Sequence, residues 1–203
     1  WANLVWQGAR VLLEGRFDEA ERFAQQAIDL ARRVPGPHSS EVNGPVAFAG
    51  QAIFIQDTAT RDLPAGMLIA GYDSRFPELS LWRVAALLAA MRAGDADAVV
   101  MEIDRLAAHG FRDFERNGVW LATMSLLSEA IAFVGDRERA SIAYELLQPY
   151  GHLQATASLV ASCGSVARYL GLLALTLNRL DDAECHLRAA AEMNQAMGAR
   201  PHV

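Results

Sequence analysis

Two distant stretches of the chain carry the same pattern of residues. QGARVLLEGRFDEAERFAQQAIDLARR at 7–33 and GSVARYLGLLALTLNRLDDAECHLRAAAE at 164–192 each hold a segment rich in Leu and small residues, a short break, an acidic turn and an Ala-rich segment. Aligning the breaks at Gly15 and Asn178 brings three pairs of small residues into register, namely Gly8 with Gly171, Ala20 with Ala183, and Ala27 with Ala190. Small residues at these positions allow two antiparallel helices to cross closely, so we predict that these six residues pack the helices of a repeat.

The break within each copy combines a helix-stop signal with a helix-start signal. Gly readily adopts the left-handed conformation that follows a helix, and Asp is a favoured N-cap of the next helix. GDRERA at 135–140 and AGDADA at 93–98 repeat the break, which makes four copies. We therefore predict that four aspartates cap the second helices of their units: Asp18, Asp95, Asp136 and Asp181.

Apolar residues recur at helical spacing between the breaks, and no segment bounded by turns alternates apolar and polar residues. The sequence therefore predicts an all-α fold, an α–α superhelix of about five helical hairpins without a β-sheet. The expected hairpins pair 2–14 with 18–33, 40–57 with 62–76, 78–93 with 95–109, 115–134 with 136–149, and 164–178 with 180–197. The connection at 151–165 is apolar enough to pack back on the helices, and 1–203 is expected to form a single repeat domain.

The charged residues exclude several chemical classes. The formal net charge is −6, which disfavours an extended phosphate-binding face, so we expect no direct contact with nucleic acid. All 18 basic residues are Arg, so this chain cannot supply a Walker A lysine, a Schiff-base lysine or a Ser–Lys nucleophile pair. We interpret the use of Arg for Lys as a compositional bias of the genome rather than as a functional signal.

Cysteine content and hydropathy indicate a cytoplasmic chain without membrane contact. Cys163 and Cys185 are too few for a disulfide framework and lack metal-ligand spacing. The longest apolar runs, such as 84–91, fall short of the ~20 residues that a spanning helix needs, and no signal peptide is recognisable. Because the chain starts at Trp1 without Met, we expect it to be a piece of a longer protein.

Helix pairs of this length, with Gly or Ala at the eighth, twentieth and twenty-seventh positions, resemble the tetratricopeptide repeat (TPR), most closely in the first and fifth units. The third and fourth units depart from it, with Leu87 and Ser128 at the eighth position. A narrower resemblance covers LATMSLLSEAIAFVGDRERASIAYELLQPYG at 121–151 and GSVARYLGLLALTLNRLDDAECHLRAAAEMNQAMGARP at 164–201. These segments look like the C-terminal helical-repeat region of bacterial STAND-type ATPases, multidomain regulators that are often fused to a LuxR-type helix-turn-helix.

The resemblance also implies where a partner would bind. In TPR-like stacks the first helix of each pair lines a concave groove, and the matching positions here include Trp6, Ser125, Glu129, Arg168, Tyr169 and Leu172. Arg and Tyr are favoured at binding hot spots, so Arg168 and Tyr169 are the preferred anchors. Two structural alternatives stay open, in which Tyr169 packs against the next helix and Arg168 pairs with Glu129.

No arrangement of residues predicts a catalytic or metal site. The five His residues are scattered, and adjacent helical residues such as Cys185 and His186 point about 100° apart, which suits one metal ion poorly. We expect Cys185 to be half-buried, His186 to lie at the rim, and Cys163 to be a small structural residue. The carboxylates cluster at expected helix N-termini, where they favour the helix dipole. Trp82 and Trp120 are assigned to core packing between units.

These observations favour a non-catalytic scaffold that binds a protein, a peptide or a small effector and needs no cofactor. By the resemblance, it would be the sensory or regulatory repeat domain of an ATP-dependent bacterial transcriptional regulator, whose ATPase and DNA-reading parts lie in other sequence. The alternatives are a self-association module that forms a homodimer, a free-standing TPR adaptor, and an all-helical enzyme, for which the sequence offers no clustered acid–base groups.

Overall fold

The computed structural model describes residues 1–33, 80–157 and 161–203, which are mostly helical. The expectation of a mainly α-helical chain is therefore confirmed, whereas the expected hairpin of 40–57 with 62–76 lies outside the described residues. The helices of the described part are Ala2–Leu13 (α1), Phe17–Arg33 (α2), Ser80–Arg92 (α3), Ala96–Leu106 (α4), Trp120–Val134 (α5), Arg137–Leu147 (α6), Val166–Thr176 (α7) and Leu180–Ala196 (α8). Two single 3-10 turns, Gln148–Tyr150 and Arg200–His202, follow α6 and α8.

Left-handed residues separate the two helices of each described pair. Gly15, Gly94 and Gly135 have φ angles of 78°, 74° and 70°, and Asn178 reaches 61° at the corresponding point of the last pair. Asn is the residue other than Gly that best tolerates this conformation, because its short polar side chain bonds locally. The break positions inferred from the repeat are thus confirmed, including the one without Gly.

The four predicted aspartate caps divide into two groups. Asp95 accepts a hydrogen bond from the backbone N–H of Ala98, and Asp136 accepts one from that of Arg139, each at 3.0 Å, so both cap their helices as predicted. Asp18 and Asp181 instead lie inside the first turns of α2 and α8, one residue beyond the first helical position. The prediction of capping was wrong for these two, whose charges still favour the positive end of the helix dipole.

A two-stranded antiparallel sheet interrupts the helical pattern and corrects the prediction that the chain has none. Strands Gln154–Ala157 (β1) and Ala161–Ser165 (β2) pair Thr156 with Ser162 and Ala157 with Ala161, with an irregularity between Gln154 and Thr156. The connection expected at 151–165 does pack on the helices, with Ala155, Ala157 and Cys163 buried in the main core. It does so as two paired strands, which satisfy the hydrogen bonds of a partly buried backbone.

The described hairpins after residue 80 pack side by side in chain order. Helix α3 packs against α5, α5 against α7, and each of these first helices contacts the second helix of its own pair. Helix α1 packs on α2 and also on β2, so Val11 and Leu12 share one apolar core with residues from α3 to α7. The core therefore runs continuously from the first hairpin to the last.

The six small residues of the repeat are all buried. Helices α7 and α8 approach each other closely at Gly171, where an added Cβ would lie 2.6 Å from Leu187 Cγ and 3.5 Å from the carbonyl oxygen of Ala183. A side chain at this crossing would therefore force Leu187 to shift. Within residues 1–33, 80–157 and 161–203, no helix combines the length and the apolarity needed to cross a membrane.

Candidate functional site

A concave cavity of about 540 Å³ opens between the first helices of three consecutive pairs. Its walls come from α3, α5 and α7, and the 3-10 turn after α8 closes one side. The residues that line this cavity, called the groove below, are Met91, Leu126, Glu129, Ala132, Phe133, Arg168, Tyr169, Leu172, Pro201 and His202. Four of the six expected partner-binding residues thus meet in one place: Glu129, Arg168, Tyr169 and Leu172.

An ion pair between Arg168 and Glu129 bridges α7 and α5 within the groove. Nη1 of Arg168 donates a hydrogen bond to Oε1 of Glu129, and the side chains are 34% and 10% exposed. The guanidinium also lies over the ring of Tyr169, with its central carbon 5.1 Å from the ring centroid. The ring and the carboxylate thus restrain the guanidinium from two directions.

Tyr169 contributes its ring to the groove and its hydroxyl to the core. The residue is only 2% exposed, and its hydroxyl donates a hydrogen bond of 2.7 Å to the backbone carbonyl of Cys163 in β2. Of the two structural alternatives, the pairing of Arg168 with Glu129 is confirmed, whereas Tyr169 is buried with its hydroxyl bonded to β2 and its packing against the next helix stays a prediction. Neither arrangement removes the pair of residues from the groove wall.

Two expected partner-binding residues do not reach the groove. Ser125 is fully buried, with 0% exposure, because its position on α5 faces the core, so it cannot contact a bound molecule and this expectation is corrected. Trp6 is 53% exposed but lines a separate cavity of about 280 Å³ between α1 and the β-hairpin, together with Thr156 and Ala161. The β-hairpin, which sequence patterning missed, places Trp6 beside the sheet instead.

Apolar side chains surround the ion pair. Phe133, at the C-terminal end of α5, is 48% exposed, which is unusual for a large aromatic residue. Leu172 and Met91 are partly buried at the edge of the main core. The groove therefore combines apolar side chains with an ion pair and with His202, a mixture that sites for small molecules or peptide anchors also use.

The turn at Arg200–His202 is held against the groove by one buried amide. Asn194 is fully buried; its Oδ1 accepts a hydrogen bond of 2.9 Å from the backbone N–H of Ser165, and its Nδ2 donates one of 2.7 Å to the carbonyl of His202. Gly164, with φ of 79°, allows this contact, since an added Cβ would lie 2.9 Å from Cγ of His202. Sequence reasoning missed Pro201 and His202 as groove residues. The only available signal was a helix stop at Gly198 followed by Pro.

Among the cysteines and histidines that the structure describes, His202 alone lines the groove. Cys163 is buried in β2, whereas Cys185 is exposed, which corrects the expectation that it is half-buried. Nε2 of His186 lies 2.9 Å from the hydroxyl of Tyr144, and burial together with the nearby charge of Asp182 raises the pKa of that phenol. No group of three or more His, Cys, Asp or Glu residues in the described part of the chain is arranged to hold a metal ion.

The tryptophans and the acidic cluster at the first break, which the sequence analysis also considered, lie outside the groove lining. Trp120 is buried, as expected for a core residue, and meets Tyr150 edge to face at 5.4 Å between ring centroids; because Tyr150 follows the second helix of the same pair, this contact lies within the unit, and packing between units stays a prediction. Trp82 lies in α3, and its side chain is outside the described part. In the acidic cluster at the first break, hydrogen bonds from Arg16 lower the pKa of Glu14 and of Glu19, so both carboxyls are ion-pair partners in an exposed network.

Comparison of the chain with protein-family models, with curated proteins and with solved structures found no match.

Proposed function

We propose that this chain is a TPR-like α–α superhelix of about five hairpins whose groove binds a protein, a peptide or a small effector without chemical conversion. The observation that carries the proposal is the groove itself, in which first helices of three consecutive pairs surround a fixed ion pair. Its volume of about 540 Å³ falls within the ~300–1,000 Å³ typical of sites for small molecules. A cavity of this size also accepts a few side chains of a peptide.

The proposal extends to the regulatory context that the sequence resemblance implies. In that context the chain is the sensory repeat domain of a cytoplasmic, ATP-dependent bacterial transcriptional regulator, and nucleotide and DNA binding belong to other domains. The groove walls lie on separate helical pairs, so a ligand that spans α5 and α7 favours one relative placement of these pairs. Such a ligand would shift the population towards that placement and pass the difference to attached domains.

Photo-crosslinking tests the groove as a binding surface. Benzoyl-phenylalanine is placed at Phe133, which is in the groove, or at Leu180, which is 62% exposed and outside it. The chain is irradiated in its native cytoplasm. We expect adducts at position 133 that Arg168→Gln diminishes, and no such dependence at position 180. Equal adduct patterns at the two positions would refute the groove as the binding surface.

Self-association is a second candidate function, favoured by exposed apolar residues on α4. Val100 and Met101 are adjacent and are 42% and 67% exposed, which gives a homodimer an apolar contact. Light scattering at high concentration decides this point. A mass of two chains that Met101→Glu reduces to one would support it, and a mass of one 22.1 kDa chain would dismiss it.

A further inference from the structure

Helix α4 turns one of its faces away from the helices it packs against. Val99 and Ile103, two of its buried residues, lie on the side that faces α3 and α5. Asp97, Met101 and Arg105 are exposed, and their spacing of four residues places them in one line along the opposite side of the helix. This line of three residues is called the α4 face below.

The centre of the α4 face is apolar. Met101 has 67% of its surface exposed, and its neighbour Val100 has 42%. Covering these side chains removes apolar area from water, which favours association. Single exposed apolar residues are common on protein surfaces, so Met101 alone does not identify a partner. The charges on either side of it do.

Opposite charges flank Met101 at equal distances. Asp97 lies one turn before it and Arg105 one turn after it, each about 6 Å away along the helix axis. The carboxylate of Asp97 forms no ion pair or hydrogen bond within the described part of the chain. Arg105 donates one hydrogen bond of 3.0 Å to Glu102, and its guanidinium has further N–H donors for a second carboxylate. Both flanking ions are thus able to pair across an interface.

This arrangement is complementary to itself. When two α4 helices run antiparallel about a two-fold axis at Met101, Asp97 of each copy lies opposite Arg105 of the other, and the two Met101 side chains meet. An acidic partner surface would be repelled by Asp97, and a basic one would be repelled by Arg105. A second copy of this chain pairs with both ions and covers the apolar centre at the same time.

From this symmetry we infer that two copies of the chain associate through an antiparallel pair of α4 faces. The inference rests on the proposed self-association and names the surface and the ion pairs that form it. Helix α4 has 11 residues and is about 16 Å long, so the contact belongs to the small interfaces, below ~1,200 Å², that are typical of weak complexes. The dimer should therefore form reversibly and only at high protein concentration.

Charge reversal tests the pairing on the full 203-residue chain, with the dimerisation constant measured by sedimentation equilibrium. Asp97→Arg and Arg105→Asp should each weaken the dimer about tenfold or more, because the two-fold axis turns both ion pairs into like-charge contacts. The double variant, and a mixture of the two single variants, should regain the wild-type constant. Arg188→Asp is the matched control, since it changes the net charge as Arg105→Asp does but from an exposed site on α8, and it should leave the constant nearly unchanged.

A disulfide test locates the two-fold axis. Met101→Cys in a Cys185→Ser background places a thiol at the centre of the α4 face, while Cys163 stays buried. Cysteines bridge only when their Cα atoms lie within about 7 Å, so only chains that meet at residue 101 crosslink efficiently. Under mild oxidation we expect a linked dimer, formed much faster than with Ala189→Cys at an exposed position of α8 in the same background. Circular dichroism verifies the fold of each variant.

The outcomes separate this inference from the proposed self-association. A dimer that neither charge reversal weakens, or that crosslinks at position 189 as fast as at position 101, would overturn the antiparallel α4 pairing and leave self-association through another surface. Weakening by the single variants without recovery in the double variant or in the mixture would overturn the pairing of Asp97 with Arg105. A mass of one chain at every concentration, with no crosslink at position 101, would overturn both proposals together.

Discussion

The crossing of α7 and α8 at Gly171 gives the sharpest stability prediction. In an ordinary helix interior, Gly→Ala stabilises by roughly 0.8–1.0 kcal/mol because Ala loses less backbone entropy on folding. At Gly171 the new Cβ would lie 2.6 Å from Cγ and 2.7 Å from Cδ2 of Leu187, about 1 Å closer than a favourable carbon–carbon contact. Overpacking of this kind costs about 1–3 kcal/mol. We therefore expect Gly171→Ala to lower the free energy of unfolding by about 1 kcal/mol.

A double-mutant cycle separates the clash from the helix propensity. Leu187→Ala removes the atoms that the new methyl group would meet, so Gly171→Ala in that background should raise stability by about 1 kcal/mol. Urea unfolding followed by circular dichroism measures all four chains, and Ala189→Gly at an exposed position of α8 calibrates the helix propensity. A stabilising effect of Gly171→Ala in the wild-type chain, additive with Leu187→Ala, would refute the close crossing.

Three further predictions concern the breaks and the buried amide. Asn178→Ala should destabilise by about 1 kcal/mol because φ is 61° there, while Asn178→Gly should be neutral or slightly stabilising in the same urea assay. Burial alone would raise the pKa of Asp136, but hydrogen bonds from the backbone and side chain of Arg139 outweigh it and lower that pKa below the usual 3.8. Asp136→Ala should therefore cost about 1–2 kcal/mol at pH 7, and the difference should shrink as the pH falls below about 4, whereas a pH-independent loss would contradict the charge contribution. Asn194→Ala should destabilise by about 2–3 kcal/mol and speed hydrogen exchange at the amide of Ser165, because that buried N–H loses its acceptor.

The helices were predictable because their signals are local. Each break holds a left-handed residue, and two of the four breaks hold an Asp that reaches the N–H three residues later, so a short window of sequence contains both the cause and the effect. The β-hairpin was not predictable in this way. QATA and ASCGS contain a single β-branched residue, Thr156, and no aromatic residue, and four or five residues are too few for a clear alternation.

The groove residues could be predicted from the sequence only where the position of a residue within its repeat decides which way its side chain faces. Glu129 and Arg168 lie 39 residues apart, yet their positions on first helices placed both on the inner side, where they meet. The same reasoning placed Ser125 in the groove, although it is buried. Helix α5 is buried on more than one side, and the position of a residue within a repeat does not indicate how many neighbours its helix has. Asn194 forms hydrogen bonds with Ser165 and His202, which belong to other elements of the fold. The local sequence of an Ala-rich helix does not predict such tertiary contacts.

The turn at Arg200–His202 also lies beside the first hairpin, since a Cβ added at Gly15 would lie 3.6 Å from Cγ of Pro201. In a row of repeats each unit contacts only its neighbours, so terminal units fray independently of distant ones. Here the first hairpin has a neighbour near the other end of the chain, and the same turn supplies Pro201 and His202 to the groove. A molecule that holds this turn in place would slow the fraying of α1 and α2, a hairpin that contributes no residue to the groove.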